Sequence, residues 1–182
     1  MTETILIVDD EPAILNTLAD VLKDEGYQVA TAGSGAAALA ALQEMPAVIL
    51  LDIWMPDRDG LDVLQQIKQL RPQTTVIMMS GHGSIETAVR ATKLGAYDYI
   101  EKPLSSEKVL LVLRHALTEQ KLADENRHLR AAIDERSDLQ GVSPAIQRLR
   151  EQIRMAGPSL SRVLIYGENG TGKELAARSI HR

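Results

Sequence analysis

Five short apolar runs, each closed by a polar residue and separated by a helical pattern, limit what this chain can fold into. Ile5-Leu6-Ile7-Val8 ends at Asp9, and a second, shorter run centres on Val29. Val48-Ile49-Leu50-Leu51 ends at Asp52, Val76-Ile77-Met78-Met79 ends at Ser80, and Tyr97–Glu101 ends at Lys102. Between them, apolar residues recur three and four apart. Pro12 opens a pattern of Ile14, Leu18, Val21 and Leu22, with Glu25 on the next turn, that stops at Gly26. Ser34 caps an alanine-rich helix running to about Met45. Leu61, Leu64, Ile67 and Leu70 mark a third helix, a fourth runs from about Ser84 to Gly95, and a fifth starts near Ser105. Proline in a first turn and glycine just past a last one are the usual helix punctuation. Five strand-helix units in sequence predict an α/β fold with a parallel, doubly wound sheet.

In such sheets ligands bind at the carboxyl ends of the strands, near the switch in strand order. A flavodoxin-like order, 2-1-3-4-5, puts that switch between the strands ending in Asp9-Asp10 and in Asp52. Three carboxylates, the Ser80 hydroxyl and the Lys102 amine then converge on one edge. Clustered carboxylates repel one another unless a cation neutralises them. Mg²⁺ suits the set, because it takes one or two carboxylates together with phosphate oxygens and water. A carboxylate can attack a phosphoryl group to give an acyl phosphate, in a transfer that depends on positioning and charge neutralisation. Asp52 follows the most apolar strand and is the candidate nucleophile. Asp10, and Asp9 partly through water, would hold Mg²⁺ with Asp52. Lys102 would pair with Asp52 at rest and with phosphoryl oxygens later, and Ser80 would donate to the phosphoryl group.

Bulk properties exclude other classes. The net charge of −5 argues against a nucleic-acid surface, which would be basic. With no cysteine there is no disulfide, thiol catalysis or thiolate-bound metal. No run approaches the ~20 apolar residues of a membrane helix, and no basic leader precedes the first strand. The chain is expected in the cytoplasm, away from membranes. His82, His115, His128 and His181 are scattered and are expected at the surface rather than on a metal.

Val8-Asp9-Asp10, Asp52 through Gly60, Met79-Ser80-Gly81 and Lys102-Pro103 occur in the order found in receiver domains of bacterial two-component response regulators, which residues 1–120 resemble. The resemblance implies phosphorylation of Asp52 by a sensor histidine kinase and a cis Lys102–Pro103 bond. It also implies a metal contact from the main-chain carbonyl of Trp54, and a switch pair, Ser80 and Tyr99, that remodels the surface of the fourth helix, fifth strand and fifth helix. Read alone, Tyr99 is an ordinary half-buried strand tyrosine. Trp54 and His82 would border the path of water toward an acyl phosphate. Trp54 would slow its loss, although a surface-loop tryptophan needs no such role.

Residues 121–136 continue the fifth helix. Leu110, Leu113 and Leu117 form one seam, and Leu122, Asn126, Leu129 and Ile133 another offset by one residue. This is a candidate coiled-coil linker for a homodimer, against the alternative of a helix packed on its own domain. A second domain, 137–182, starts near Leu139-Gln140-Gly141. Ser143-Pro144 opens a helix with Ile146, Leu149 and Ile153, Pro158 breaks it, and Val163-Leu164-Ile165-Tyr166 reads as a strand. The strand leads into Gly167-Glu168-Asn169-Gly170-Thr171-Gly172-Lys173-Glu174, a phosphate-binding loop whose backbone N–H groups and Lys173 suit ATP phosphates. Glu174 replaces the Ser or Thr that normally ligates Mg²⁺.

That variant loop, with the stretch from Gly141 to Ile146, resembles the AAA+ domains of sigma-54-dependent activators. Receiver, linker and ATPase in this order resemble the NtrC family. Ser80 through Asp98 is most similar to its NtrX branch, which implies an NtrY-like kinase. The chain is read as the N-terminal part of a longer regulator. The parts that would contact sigma-54 polymerase and DNA, and the acid that would support ATP hydrolysis, are not in it. It is therefore expected to be a signalling phosphoacceptor, not an enzyme. The alternative centres on ATP binding at the phosphate loop. A flavin-binding reading is disfavoured by the carboxylate cluster, which would repel a flavin phosphate.

Overall fold

The computed structural model describes residues 3–81, 85–137, 139, 141, 143–157, 162–168 and 170–180, and over 130–137 the backbone alone. Expectations resting on His82, Ser84, Gln140, Val142, Pro158, Asn169, His181 and the side chain of Ile133 lie outside the described residues. The chain divides into two units, Met1–Lys121 and Leu122–Arg182.

The first unit runs β1 (Thr4–Val8), α1 (Pro12–Asp24), β2 (Gln28–Ala32), α2 (Gly35–Ala41), β3 (Val48–Asp52), α3 (Gly60–Leu70), β4 (Thr75–Ser80), α4 (Ile85–Lys93), β5 (Asp98–Glu101) and the start of α5 (Ser106–Ser137). The five strands pair in parallel in the order β2-β1-β3-β4-β5, as the pattern predicted. Strand geometry sends successive side chains to opposite faces, and both faces are apolar here. Ile5, Ile7, Val48, Leu50, Ile77 and Met79 pack with Leu18 and Leu22 of α1 and Val109, Leu113 and Ala116 of α5. Their neighbours Leu6, Val8, Ile49, Leu51, Val76 and Met78 pack with Ala38 of α2, Leu61, Leu64 and Ile67 of α3 and Ala91 of α4. All five residues of β3 are buried, as a central parallel strand requires.

Some boundaries differ from the sequence reading. The alanine-rich helix ends at Ala41, and a 3-10 turn over Leu42–Glu44 follows. Met45 then takes a left-handed conformation (φ 51°). Pro46 disfavours the right-handed helical region for the residue before it, so the helix does not run through Met45. Leu70, the last residue of α3, is 69% exposed, and Val63 completes the buried stripe instead. Tyr97 precedes β5 but already donates its N–H to Val76 O at 2.7 Å.

The long helix explains the two offset seams. Leu113 is buried in the first unit's core, with Leu110 and Leu117 half-buried against it. That seam therefore packs on its own domain. Leu122 (61% exposed) and Leu129 (58%) have left the core and form a separate exposed row.

In the second unit α6 (Pro144–Ala156) starts at Ser143, whose Oγ accepts from the Ile146 N–H at 3.4 Å. It packs with α7 (Lys173–Ile180). Val163–Tyr166 does not form the strand its composition predicts: no strand pairs with it among the described residues. A strand needs hydrogen-bonded neighbours, and here Leu164 and Tyr166 are 86% and 89% exposed. Leu149, Ile153, Val163, Ile165, Ala176 and Ile180 line an apolar cleft of about 500 Å³ beside it.

Candidate functional site

The sheet's hydrogen-bond ladders run one residue past their strands and so fix the side chains beyond them. Asp9 donates its N–H to Ala32 O at 3.1 Å, continuing β1 along β2. Ile53 donates to Met79 O at 3.0 Å, which holds Asp52 at the end of β3. Lys102 donates its N–H to Ser80 O at 2.7 Å, tying the end of β5 to β4. The Lys102–Pro103 bond is cis, as the resemblance implied. The expected residues of β1, β3, β4 and β5 thus reach one edge of the sheet.

Lys102 closes the cluster. Its Nζ lies 2.8 Å from Asp9 Oδ2, 3.2 Å from Asp52 Oδ1 and 3.9 Å from Glu11 Oε1. Asp9 and Asp52 are buried, and their two oxygens facing Lys102 have no other hydrogen-bond donor among the described residues. Asp9 Oδ1 accepts from the Glu11 N–H at 3.0 Å. Asp10 is exposed, yet a carboxylate oxygen from each of Asp9, Asp10 and Asp52 lies within 4.8 Å of the others. Trans ligands of one Mg²⁺ stand about 4.2 Å apart. Small side-chain rotations would therefore bring this hard-oxygen set onto one ion, and the donors fit the metal.

One ammonium does not balance these carboxylates. Burial raises the Asp52 pKa, Lys102 lowers it and Asp9 raises it again, leaving it at about 6. Burial alone would depress Lys102. Its hydrogen bond to Asp9 and the charges of Asp52 and Asp9 outweigh that and hold its pKa above the ordinary lysine value.

Ser80 is buried at the end of β4. Tyr99 is half-buried against the α2–α3–α4 side of the core, and its hydroxyl is buried with no hydrogen-bond partner among the described residues. Trp54 is 59% exposed beside the acidic cluster. His115 and His128 are exposed, as expected.

The loop between β3 and α3 is more ordered than its turn-forming composition implied. Trp54 and Asp59 form an antiparallel bridge, and Gly60 donates its N–H to Ile53 O at 2.8 Å. A Cβ on Gly60 would stand 2.1 Å from Asp52 O, so only glycine lets the loop close against the backbone of Asp52. Two features went unread in the sequence. Glu11 reaches toward Lys102, and adjacency to Asp9-Asp10 was its only signal. Asp57 and Asp59 bond to helix N-termini; Asp59 just before Gly60-Leu61 is an N-cap pattern, whereas Asp57 bonds to a helix 22 residues earlier and leaves no local signal.

The phosphate loop is a separate feature of the second unit. Gly170 and Gly172 have positive φ (81° and 84°) just before α7. Lys173 Nζ donates to Gly167 O at 2.8 Å and Glu168 O at 2.6 Å, and Thr171 Oγ1 donates to Glu168 O at 2.7 Å. Glu174 pairs with Arg178 at 2.6 Å. The lysine is thus folded onto its own loop.

The raised Asp52 pKa has a sign that can be measured. Between the unfolded carboxyl value near 4 and about 6, the folded protein holds a proton that the unfolded chain lacks. This contribution to stability is fully present below pH 4 and is lost as the pH rises through 6. In Mg²⁺-free urea unfolding, Asp52→Asn should gain on the order of 1–3 kcal/mol over wild type between pH 4 and pH 8. A constant difference across that range would show that Asp52 has an ordinary pKa.

Residues 5–114 match the response regulator receiver domain family, and residues 139–182 match the sigma-54 interaction domain. The nitrogen assimilation regulatory protein NtrX of Azorhizobium caulinodans is 45% identical over 184 residues, covering 100% of this chain and 40% of that protein. A crystal structure of NtrX from Brucella abortus in complex with ADP is 44% identical with a TM-score of 0.68, covering 100% of this chain and 41% of that one. The solution structure of a beryllofluoride-activated NtrC4 receiver domain dimer is 44% identical with a TM-score of 0.62, covering 64% of this chain and 98% of that one. This chain spans about two fifths of the length of the NtrX proteins it matches. Receiver domains generally use Mg²⁺ at an acidic pocket, and the cluster of Asp9, Asp10 and Asp52 is such a pocket. By its receiver match and its parallel sheet, the chain belongs to the response regulator receiver domain family, with a stretch matching the sigma-54 interaction domain after the receiver and NtrX proteins among its relatives.

Proposed function

We propose that Asp52 is the phosphoryl acceptor and that Asp9, Asp10, Asp52 and the main-chain carbonyl of Trp54 hold Mg²⁺. The observation that carries this reading is the sharing of one lysine by two buried carboxylates at the switch point of the sheet. An Asp52 carboxylate oxygen attacks phosphorus. The P–N bond to the kinase histidine breaks, its electron pair returns to the imidazole, and an acyl phosphate forms on Asp52. Mg²⁺, when bound, supplies positive charge for the phosphoryl oxygens. Lys102 turns from the Asp52 carboxylate to a phosphoryl oxygen, and Ser80 donates a hydrogen bond to another. Tyr99, whose hydroxyl lacks a partner among the described residues, follows Ser80 and carries the change to the surface of α4, β5 and α5.

In the whole protein, this change alters a homodimer through α5 and the exposed Leu122–Leu129 row, and so controls a sigma-54 ATPase. The donor is an NtrY-like sensor kinase, and the setting is the cytoplasm. No described helix is long and apolar enough to cross a membrane. The domain division that fits this reading is receiver 1–120, linker 121–136 and ATPase segment 137–182. The chain acts as a phosphoacceptor and does not turn over ATP.

Intact mass after incubation with Mg²⁺ and acetyl phosphate should show one phosphoryl adduct on wild type. Asp52→Asn, or wild type with the metal chelated, should show none. An unmodified wild type, or an adduct that survives Asp52→Asn, would refute the assignment.

A second reading places the chief activity at the phosphate loop, where a glycine-rich turn precedes α7 and carries Lys173. Against it, Lys173 is engaged by loop carbonyls and Val163–Tyr166 has no paired strand. ATP titration should therefore give the same weak, unsaturated signal for wild type and Lys173→Ala. Saturation lost in the variant would favour the second reading.

A further inference from the structure

The loop that flanks Asp52 is anchored through alternate residues. Ile53 and Met55 are buried in the core. Asp57 and Asp59 each bond to a different helix, while Trp54, Pro56 and Arg58 between them are exposed. Asp59 Oδ1 accepts from the Leu61 N–H at 2.8 Å and starts the helix that follows. Asp57 reaches instead to the start of α2. Its Oδ1 accepts from the Gly35 N–H and its Oδ2 from the Ala36 N–H, both at 3.2 Å.

The first turn of α2 needs both bonds. An α-helix leaves its first four N–H groups without intrahelical partners. Here Ser34 O accepts the first intrahelical bond, from Ala38 at 3.0 Å, and Ser34 Oγ takes the unpaired N–H of Ala37 at 3.2 Å. Asp57 takes those of Gly35 and Ala36. Slight burial would raise its pKa, but the N–H groups of Gly35 and Ala36 outweigh that and lower it, so the carboxylate is charged. The contact is also sterically fitted. A Cβ on Gly35 would stand 2.7 Å from Val63 Cγ2 and 3.3 Å from Arg58 Cβ, so the backbone of α2 lies directly on the loop and on α3.

The segment Ala32–Ala36 therefore bonds both to Asp9 and to the loop that follows Asp52. At one end Ala32 O holds the N–H of Asp9. At the other, Gly35 and Ala36 hold Asp57, three residues beyond Trp54. We infer that Asp57 is a positioning residue: by clasping the start of α2 it fixes the Ile53–Asp59 loop, and so sets where the Trp54 carbonyl and Asp52 stand relative to Asp9 and Asp10. This inference rests on the Mg²⁺-dependent acceptor site proposed above.

Asp57 is exposed, so its replacement leaves the core intact. Trp54 is the single tryptophan, and with its carbonyl on the metal its fluorescence should follow Mg²⁺ binding without any phosphodonor. In Mg²⁺ titrations of the full chain, Asp57→Ala should raise the half-saturating concentration about 3–10-fold, less than the 10–100-fold of a residue bonded directly to a metal ligand. Asp57→Asn keeps one acceptor oxygen and should fall between Asp57→Ala and wild type. Acetyl phosphate labelling should need more Mg²⁺ in the same order and reach the wild-type plateau at saturation. Equal Mg²⁺ midpoints in all three proteins, even with a lowered Tm in Asp57→Ala, would overturn the inference and leave a purely structural cap. The acceptor reading stands or falls separately, on whether wild type itself is labelled in the presence of Mg²⁺.

Discussion

Among the described residues, Lys102 is the one positive charge paired with the pocket's carboxylates, and the pocket's arrangement depends on it. It stands between Asp9 and Asp52, two buried carboxylates on neighbouring strands, with Glu11 a further neighbour. Removing one partner of a buried ion pair strands the other charge and costs several kcal/mol. Lys102 therefore cannot leave Asp52 unless something else neutralises it. Mg²⁺ and a phosphoryl group together meet that condition, and the proposed signal is this exchange of partners. In the resting pocket burial raises the Asp52 pKa more than Lys102 lowers it.

The fold bears this strain because the strands beneath the pocket carry no polar cost. Ile49, Leu50, Leu51, Ile77 and Met78 are fully buried. At about 1.5–3 kcal/mol for each such side chain relative to exposure, they outweigh a carboxylate shifted by about two pKa units. Parallel pairing lets the same strands end together at one edge, so the apolar core and the charged pocket are consecutive residues of the same segments. Val8 is core and Asp9 is pocket; Leu51 is core and Asp52 is pocket.

This juxtaposition made much of the molecule legible in sequence. A parallel, doubly wound sheet follows from the alternation of strand and helix, and the acidic edge follows from polar residues placed just after apolar runs. Contacts between distant segments were not legible. The bond from Asp57 to the start of α2 crosses 22 residues, and periodicity carries no record of it. The kink at Met45 was readable from Pro46, but it competes with a run of alanines that favours helix. Val163–Tyr166 shows the opposite failure. Its β-branched, apolar composition is sound, but composition cannot supply the neighbouring strand that would make it a strand. The offset between the two leucine seams was visible in sequence, but not that the first is used by the receiver's own core while Leu122 and Leu129 stay exposed.

The titration of Asp52 tests the account most directly. Its carboxyl ¹³C shift, followed by NMR against pH in Mg²⁺-free buffer, should give a midpoint near 6. Added Mg²⁺ should drive that midpoint down, because a bound cation favours the ionised form. A midpoint near 4 that Mg²⁺ leaves unchanged would mean that Lys102 already balances the pocket, and would contradict the exchange of partners on which the proposed function rests.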